Sequence, residues 1–168
     1  MRLYLVRHGI AVESGTPGYE EDSQRPLTQK GREKIERIGS ALKDLDVQPD
    51  QIVSSPYLRA VQTTEILAKT LRYQKQVVFT DALVPFGSPE DVINEISRRF
   101  MVNELMLVGH EPSLSSITGL LVAGDHGGSI RLKKGGVCRL EVEQLKPEPS
   151  ATLEWLLTPK ILSRPHDQ

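Results

Sequence analysis

Four side chains in the sequence have the types and the placement to act together on a phosphoryl group: Arg7, His8, Arg59 and His110. Each lies just beyond a short apolar run. Residues 3–6 lead into Arg7-His8-Gly9, residues 51–54 into Ser55-Pro56 with Arg59 one helical turn later, and residues 105–108 into Gly109-His110-Glu111-Pro112. Two guanidinium forks can grip a phosphoryl group bidentately and offset the charge on its equatorial oxygens in the transition state. An imidazole can then attack phosphorus in line, provided that one ring nitrogen is unprotonated. Neighbouring arginines favour that state, because like charge disfavours imidazolium. Once a dianionic phosphoryl group is bound, a protonated His110 adds a third positive donor, and Gly9, lacking Cβ, lets backbone and phosphate approach closely.

The elements that must position these residues follow from periodicity. Apolar runs of strand length recur at residues 3–6, 51–54, 77–79 and 105–108, with helical periodicity between them. In the first helical stretch Ile35, Ile38, Ala41 and Leu42 share a face, and Thr28 is its N-cap. A second helix starts near Tyr57, and a third follows Ser88 with Pro89 at its first position. Residues 112–122 read as a buried helix ending at Gly124, with 125–128 as a turn. Residues 137–145 and 152–157 form a late hairpin, and the tail from Pro159 is expected to be loosely held. The predicted architecture is α/β: a three-layer α/β/α sandwich with a mainly parallel central sheet, in one domain over residues 1–158 followed by the tail 159–168. In open α/β sheets ligands bind beyond the carboxyl ends of the strands, which is where the four residues fall.

Composition narrows the function classes. A net charge of -1, with basic and acidic residues interleaved, offers no stripe for nucleic acid. The apolar N-terminal run is cut off by Arg7 and is too short for a signal peptide or a membrane span. One cysteine, Cys138, permits no internal disulfide, so the expected compartment is a reducing cytoplasm. Cys138 does not make a cysteine phosphatase, since Gln144 stands where that motif needs its arginine, and it reads as a small buried hydrophobe. His126 and His166 lie in a glycine-rich turn and in the tail, with no metal-ligand spacing around them, so catalysis without metal or cofactor is expected. No phosphate-binding Gly-Lys loop follows any strand.

With these residues in place, the chain resembles the histidine phosphatase superfamily, of phosphoglycerate mutase-like fold. The family's Arg-His-Gly triplet is matched by Arg7-His8-Gly9, its second motif by residues 55–60 with Gln62-Thr63, and its third by Gly109-His110. The resemblance implies that His8 is the phosphorylated nucleophile and that Arg7, Arg59 and His110 form the phosphate pocket. Within the superfamily the chain is most similar to SixA-type phosphohistidine phosphatases, in its lack of a large helical insertion, in Arg25-Pro26-Leu27-Thr28, and in Trp155 followed by Thr158-Pro159. That likeness implies a partner, a phosphorylated histidine-containing phosphotransfer protein, with phosphate as product. Arg25 and Ser55 join Gly9 and Glu111 as candidate substrate contacts, although Arg25 also reads as a solvated loop charge.

One departure bears on substrate. Many relatives carry a glutamate soon after the third strand that protonates the leaving group, whereas here Leu83 is followed by Val84-Pro85-Phe86-Gly87. Expelling an alkoxide, roughly as basic as hydroxide with a pKa of roughly 15.7, demands a proton. Expelling imidazole, of pKa about 6.5, demands much less, which favours a phosphoramidate. Glu111 or Asp22 could still serve as the acid, which leaves a small-molecule phosphomonoesterase as one alternative and a non-catalytic phosphoprotein-binding module as another.

Overall fold

Alternation of side chains decides the two faces of β1 (Arg2–Arg7): Leu3 and Leu5 enter one buried cluster, Tyr4 and Val6 the other. The same alternation holds in β4 (Glu104–Gly109), where Leu105 and Leu107 oppose Met106 and Val108. Together with β2 (Gln51–Ser54), β3 (Val78–Phe79), β5 (Val137–Val142) and β6 (Ala151–Leu157), these strands form a six-stranded mixed sheet in the order β3-β2-β4-β1-β5-β6. The first four of that order are parallel, and β5 and β6 are antiparallel additions. The computed structural model describes residues 1–124 and 130–164.

Helices cover both faces, as expected for an α/β/α sandwich. On one side α1 (Gln29–Asp44), α2 (Leu58–Thr70) and α5 (Pro159–Leu162) bury Ile35, Ile38, Leu42, Ala60, Leu67 and Leu162. On the other, α3 (Pro89–Arg99) and α4 (Ser113–Ala123) bury Ile93, Ile96, Leu114 and Ile117. Each fully buried aliphatic side chain of this kind contributes about 1.5–3 kcal/mol. The caps follow side-chain chemistry: Thr28 Oγ1 accepts from Gly31 N at 3.0 Å and Ser88 Oγ from Asp91 N at 3.2 Å. Gly124, at φ +72°, closes α4 in the left-handed region.

Two expectations change. β5 stops at Val142 rather than running to Leu145, because from Glu143, whose amide donates to Ser150 O, the chain turns into the loop between β5 and β6. Residues 159–162 of the expected loose tail are helical instead, with Pro159 and Leu162 buried against α1; apolar burial outweighs their position near the C-terminus. The expected turn at 125–128 with His126, and the end of the tail with His166, lie outside the described residues. Among the described residues no helix is long and apolar enough to cross a membrane.

Candidate active site

Strand register brings the candidate residues together. Arg7 of β1 pairs with Gly109 of β4, and His8 N donates to Gly109 O at 3.1 Å, so His8 and His110 leave adjacent strands side by side. On the other flank of β4, Ser54 pairs with Val108 and Ser55 N donates to Val108 O at 3.0 Å, which delivers Ser55, Tyr57 and the first turn of α2 to the same edge. Arg59 in that turn is 3% exposed, His8 5% and His110 2%.

His8 is held in one tautomer. Its Nδ1 lies 2.7 Å from Gly9 O, a carbonyl that can only accept, so Nδ1 carries the hydrogen. Nε2, facing Arg59 Nε at 3.3 Å, is left with its lone pair. Burial above all pushes the His8 pKa down, to about 2, with His110, Arg59 and Arg7 adding like charge and the Gly9 hydrogen bond opposing them. The sequence reading credited the arginines; desolvation is the larger cause.

His110 Nε2 lies 2.8 Å from Ser55 Oγ. Tyr57 N also donates to that hydroxyl; where the Ser55 hydrogen goes to Nε2, the His110 proton sits on Nδ1. His110 Nδ1 and Arg7 Nε are both buried without a hydrogen-bond partner among the described residues. Burial, then Arg59, with Asp22 opposing, lowers the His110 pKa to about 3. The ring is therefore neutral at pH 7, and the charge expected of it must come with a bound dianion. Tyr57 sets its ring edge-on to His110 at 5.2 Å and beneath the Arg59 guanidinium at 5.1 Å.

Arg59 is gripped by Asp22. Arg59 Nη1 donates to Asp22 O at 2.6 Å and Nη2 to Asp22 Oδ2 at 2.8 Å. Asp22 Oδ1 accepts from Arg25 Nε at 2.9 Å and from Arg25 Nη2, while Arg25 Nη1 donates to Val12 O. Arg25 is thus neither a free loop charge nor in contact with His8; it is tied to the site through one carboxylate. The loop carrying Asp22 is closed at its base by an Ala11–Leu27 bridge and by Gln62 Oε1, which accepts from Leu27 N at 2.8 Å.

Glu111 and Gly9 also serve the fold. Glu111 Oε1 accepts from Ser115 Oγ and from Leu132 N, each at 2.7 Å, which fastens the segment whose Leu132 O accepts from Arg7 Nη1 at 2.8 Å. A Cβ on Gly9 would stand 2.8 Å from Ile35 Cγ1 and 3.2 Å from Leu27 Cδ2. The missing methyl makes room for α1 and the core. Thr63, quoted in the second motif without a role, accepts from Gly9 N at 3.0 Å and donates to Arg59 O at 2.7 Å. Its spacing one helical turn after Arg59 was the signal for a shared face. Cys138 is buried, and desolvation pushes its thiol up to about 12. Among the described residues no group of three or more His, Cys, Asp or Glu is placed to hold a metal ion.

Known proteins are similar to this chain in sequence and fold. The model of the histidine phosphatase superfamily (branch 1) matches residues 3–88. An uncharacterized protein of Picosynechococcus sp. is 34% identical over 166 residues, 96% of this chain and 99% of its own length. The protein histidine phosphatase SixA, solved with tungstate, shares the fold with a TM-score of 0.83 at 22% identity, over 95% of this chain and 98% of that one. A protein of Agrobacterium tumefaciens described as a phosphohistidine phosphatase SixA follows with a TM-score of 0.76 at 26% identity, over 94% and 97% of the two chains. Fold and sequence together define a phosphatase of the histidine type. The chain belongs to the histidine phosphatase superfamily, branch 1.

Proposed function

We propose that the protein is a phosphohistidine phosphatase that works by two displacements at His8. His8 Nε2 attacks phosphorus as the P–N bond to the substrate imidazole breaks; the substrate ring, already protonated on its other nitrogen, leaves as neutral imidazole and takes no proton from the enzyme. Water then attacks phospho-His8, releasing inorganic phosphate and returning His8 to its starting tautomer. The observation that carries the reading is the pairing of His8: Gly9 O takes the Nδ1 hydrogen and leaves Nε2 as a buried lone pair. Arg7 Nε and His110 Nδ1 are buried without a hydrogen-bond partner among the described residues, and they suit the phosphoryl oxygens.

Leaving-group chemistry favours a phosphoramidate. Both oxygens of Glu111 are engaged in accepting hydrogen bonds from Ser115 and Leu132 N, which turns the side chain to holding that segment. Asp22 is the other carboxylate at the site. Burial would raise its pKa, but the hydrogen bonds from Arg25 and Arg59 outweigh that and hold it below the usual carboxylate range, as a carboxylate. Without a poised acid, imidazole leaves and an alkoxide does not. A phosphotransfer protein as donor, hence a brake on a phosphorelay, also suits Phe86. This ring is 83% exposed at φ +65°, on the loop that abuts the His110 segment through Ser113 Oγ and Val84 O. A bulky residue in the left-handed region is an outlier that surrounding structure must maintain, and such strain concentrates at functional edges.

The test offers wild type and His8→Ala a phosphohistidine-bearing phosphotransfer domain and, separately, an aryl phosphate, and follows phosphate release. Fast turnover of phosphohistidine by wild type alone supports the reading. Efficient turnover of the ester alone would reassign the protein to small phosphomonoesters, binding of the phosphorylated domain without release would make it a binding module, and unchanged activity of His8→Ala would remove the nucleophile.

A further inference from the structure

Each nitrogen of the Arg59 guanidinium already donates one hydrogen bond, Nη1 to Asp22 O, Nη2 to Asp22 Oδ2 and Nε to His8 Nε2, which uses three of its five N–H groups. A phosphoryl group gripped bidentately through Nε and Nη2 takes over from His8 at Nε and meets Asp22 Oδ2 at Nη2. The His8 bond has to go in any case, since one lone pair cannot both accept from Nε and attack phosphorus. Of the others, only the carboxylate is an anion, and it is the one free to yield. The Asp22 side chain is 46% exposed while Arg59 is 3% exposed, so the acid can turn to solvent and the arginine cannot. Arg25, 14% exposed and bonded to Asp22 Oδ1, keeps hold of the carboxylate when Oδ2 lets go.

Resting on the function proposed above, we infer that Asp22 is a built-in competitor for the phosphate pocket, an internal anion that occupies Arg59 and is displaced from it by the substrate phosphoryl group and again displaces the product. Its chemistry matches that of the ligand it stands against. A carboxylate and a phosphoryl group both present two oxygens at the spacing of a guanidinium fork. The consequence is weak affinity for free inorganic phosphate. That keeps the site from being blocked by its own product, while a protein-borne phosphoryl group gains contacts outside the pocket and still enters. Asp22 is thus a specificity-determining residue, not a proton donor.

The direction of one change separates this from a supporting role. If Asp22 only held Arg59 in place, its loss would weaken anion binding; as a competitor, its loss strengthens it. Inorganic phosphate is titrated calorimetrically into wild type, Asp22→Asn, Asp22→Ala and Arg59→Gln, each first checked for a folded thermal transition. The expected result is a dissociation constant about ten-fold lower in both Asp22 variants, the scale of one charge-assisted hydrogen bond, with stronger product inhibition by phosphate in steady-state assays. Unchanged or weaker binding in Asp22→Ala overturns the inference, and if Asp22→Asn is unfolded, Asp22→Ala alone decides. Phosphate binding that is absent from wild type and from both Asp22 variants alike, or undiminished in Arg59→Gln, overturns the reading of the pocket itself.

Discussion

The imidazoles of His8 and His110 lie with ring centroids 4.9 Å apart, tilted by 52°, and both are buried in their neutral forms. Charging either ring there is opposed by lost hydration and by the nearby guanidinium groups, and for His8 by His110 as well. The folded pKa values, about 2 and about 3, lie below the unfolded value near 6.5. Between these limits the unfolded chain binds more protons than the folded one, so stability rises with pH there. The stabilisation is full above pH about 6.5 and is lost as the pH falls through that value towards the folded pKa values, by about 1.4 kcal/mol per pH unit for each histidine that titrates only on unfolding. Urea midpoints from pH 8 to pH 4 should fall for wild type and fall less steeply for His8→Gln; parallel slopes would mean that His8 charges in the folded state.

Thr63 is buried between two parts of the site, accepting from Gly9 N and donating to Arg59 O. Thr63→Val keeps the shape and removes the hydroxyl, leaving the Gly9 amide without its partner at a cost of about 1–3 kcal/mol. Because Gly9 O orients His8, kcat should fall along with thermal stability, and Thr63→Ser should restore both. Loss of stability with kcat intact would separate Thr63 from the positioning of His8.

Gly9→Ala tests whether the triplet glycine serves packing or phosphate. The added methyl meets Ile35 and Leu27 within the core, so about 1–3 kcal/mol of stability is expected to be lost through overpacking. The affinity for phosphate should change little, and the double variant Gly9→Ala/Ile35→Val should recover part of the loss. A methyl that left stability intact but abolished phosphate binding would restore the close-approach explanation.

That glycine also marks where sequence reading ends. The edge holding His8, Arg59 and His110 was legible because short apolar runs end at Val6, Ser54 and Val108, and parallel strands present their carboxyl ends together. Caps at Thr28 and Ser88 were legible because they act within one turn. The clamp of Asp22 on Arg59 joins residues 37 apart with no common periodicity, and nothing local announces it. Which way a Cβ on Gly9 would point depends on how α1 docks. Leu162 is buried because α1 supplies the surface, which no property of a four-residue helix reveals.

Phe86 and the segment around Leu132 border the site with exposed groups, which on the proposed reading meet a protein substrate. Leu132 is buried and bonded to Arg7 and Glu111, while Arg131, Lys133 and Lys134 around it are exposed. Phe86→Ser combined with Lys133→Glu and Lys134→Glu should raise KM for a phosphorylated protein about ten-fold, since exposed aromatic and charged groups act on encounter and docking. Turnover of a small phosphoramidate should be unchanged. An equal loss on both substrates would place these residues in the chemistry and not in docking.

Glu111 decides how far the missing-acid argument holds. Its carboxylate accepts from Leu132 N, Ser115 N and Ser115 Oγ, and Leu132 O in turn holds Arg7. Glu111→Gln can keep only part of that set, because one terminal atom becomes a donor. Arg7 should be held less firmly, raising KM for every phosphorylated substrate by a similar factor, about three-fold to ten-fold for one weakened charge-assisted hydrogen bond. An acid would behave differently: its loss should spare phosphohistidine, whose imidazole leaves without help, and suppress alkyl esters. Parallel kcat/KM measurements on both substrate types distinguish the two, and a selective loss on the ester would make Glu111 the proton donor and the protein an esterase.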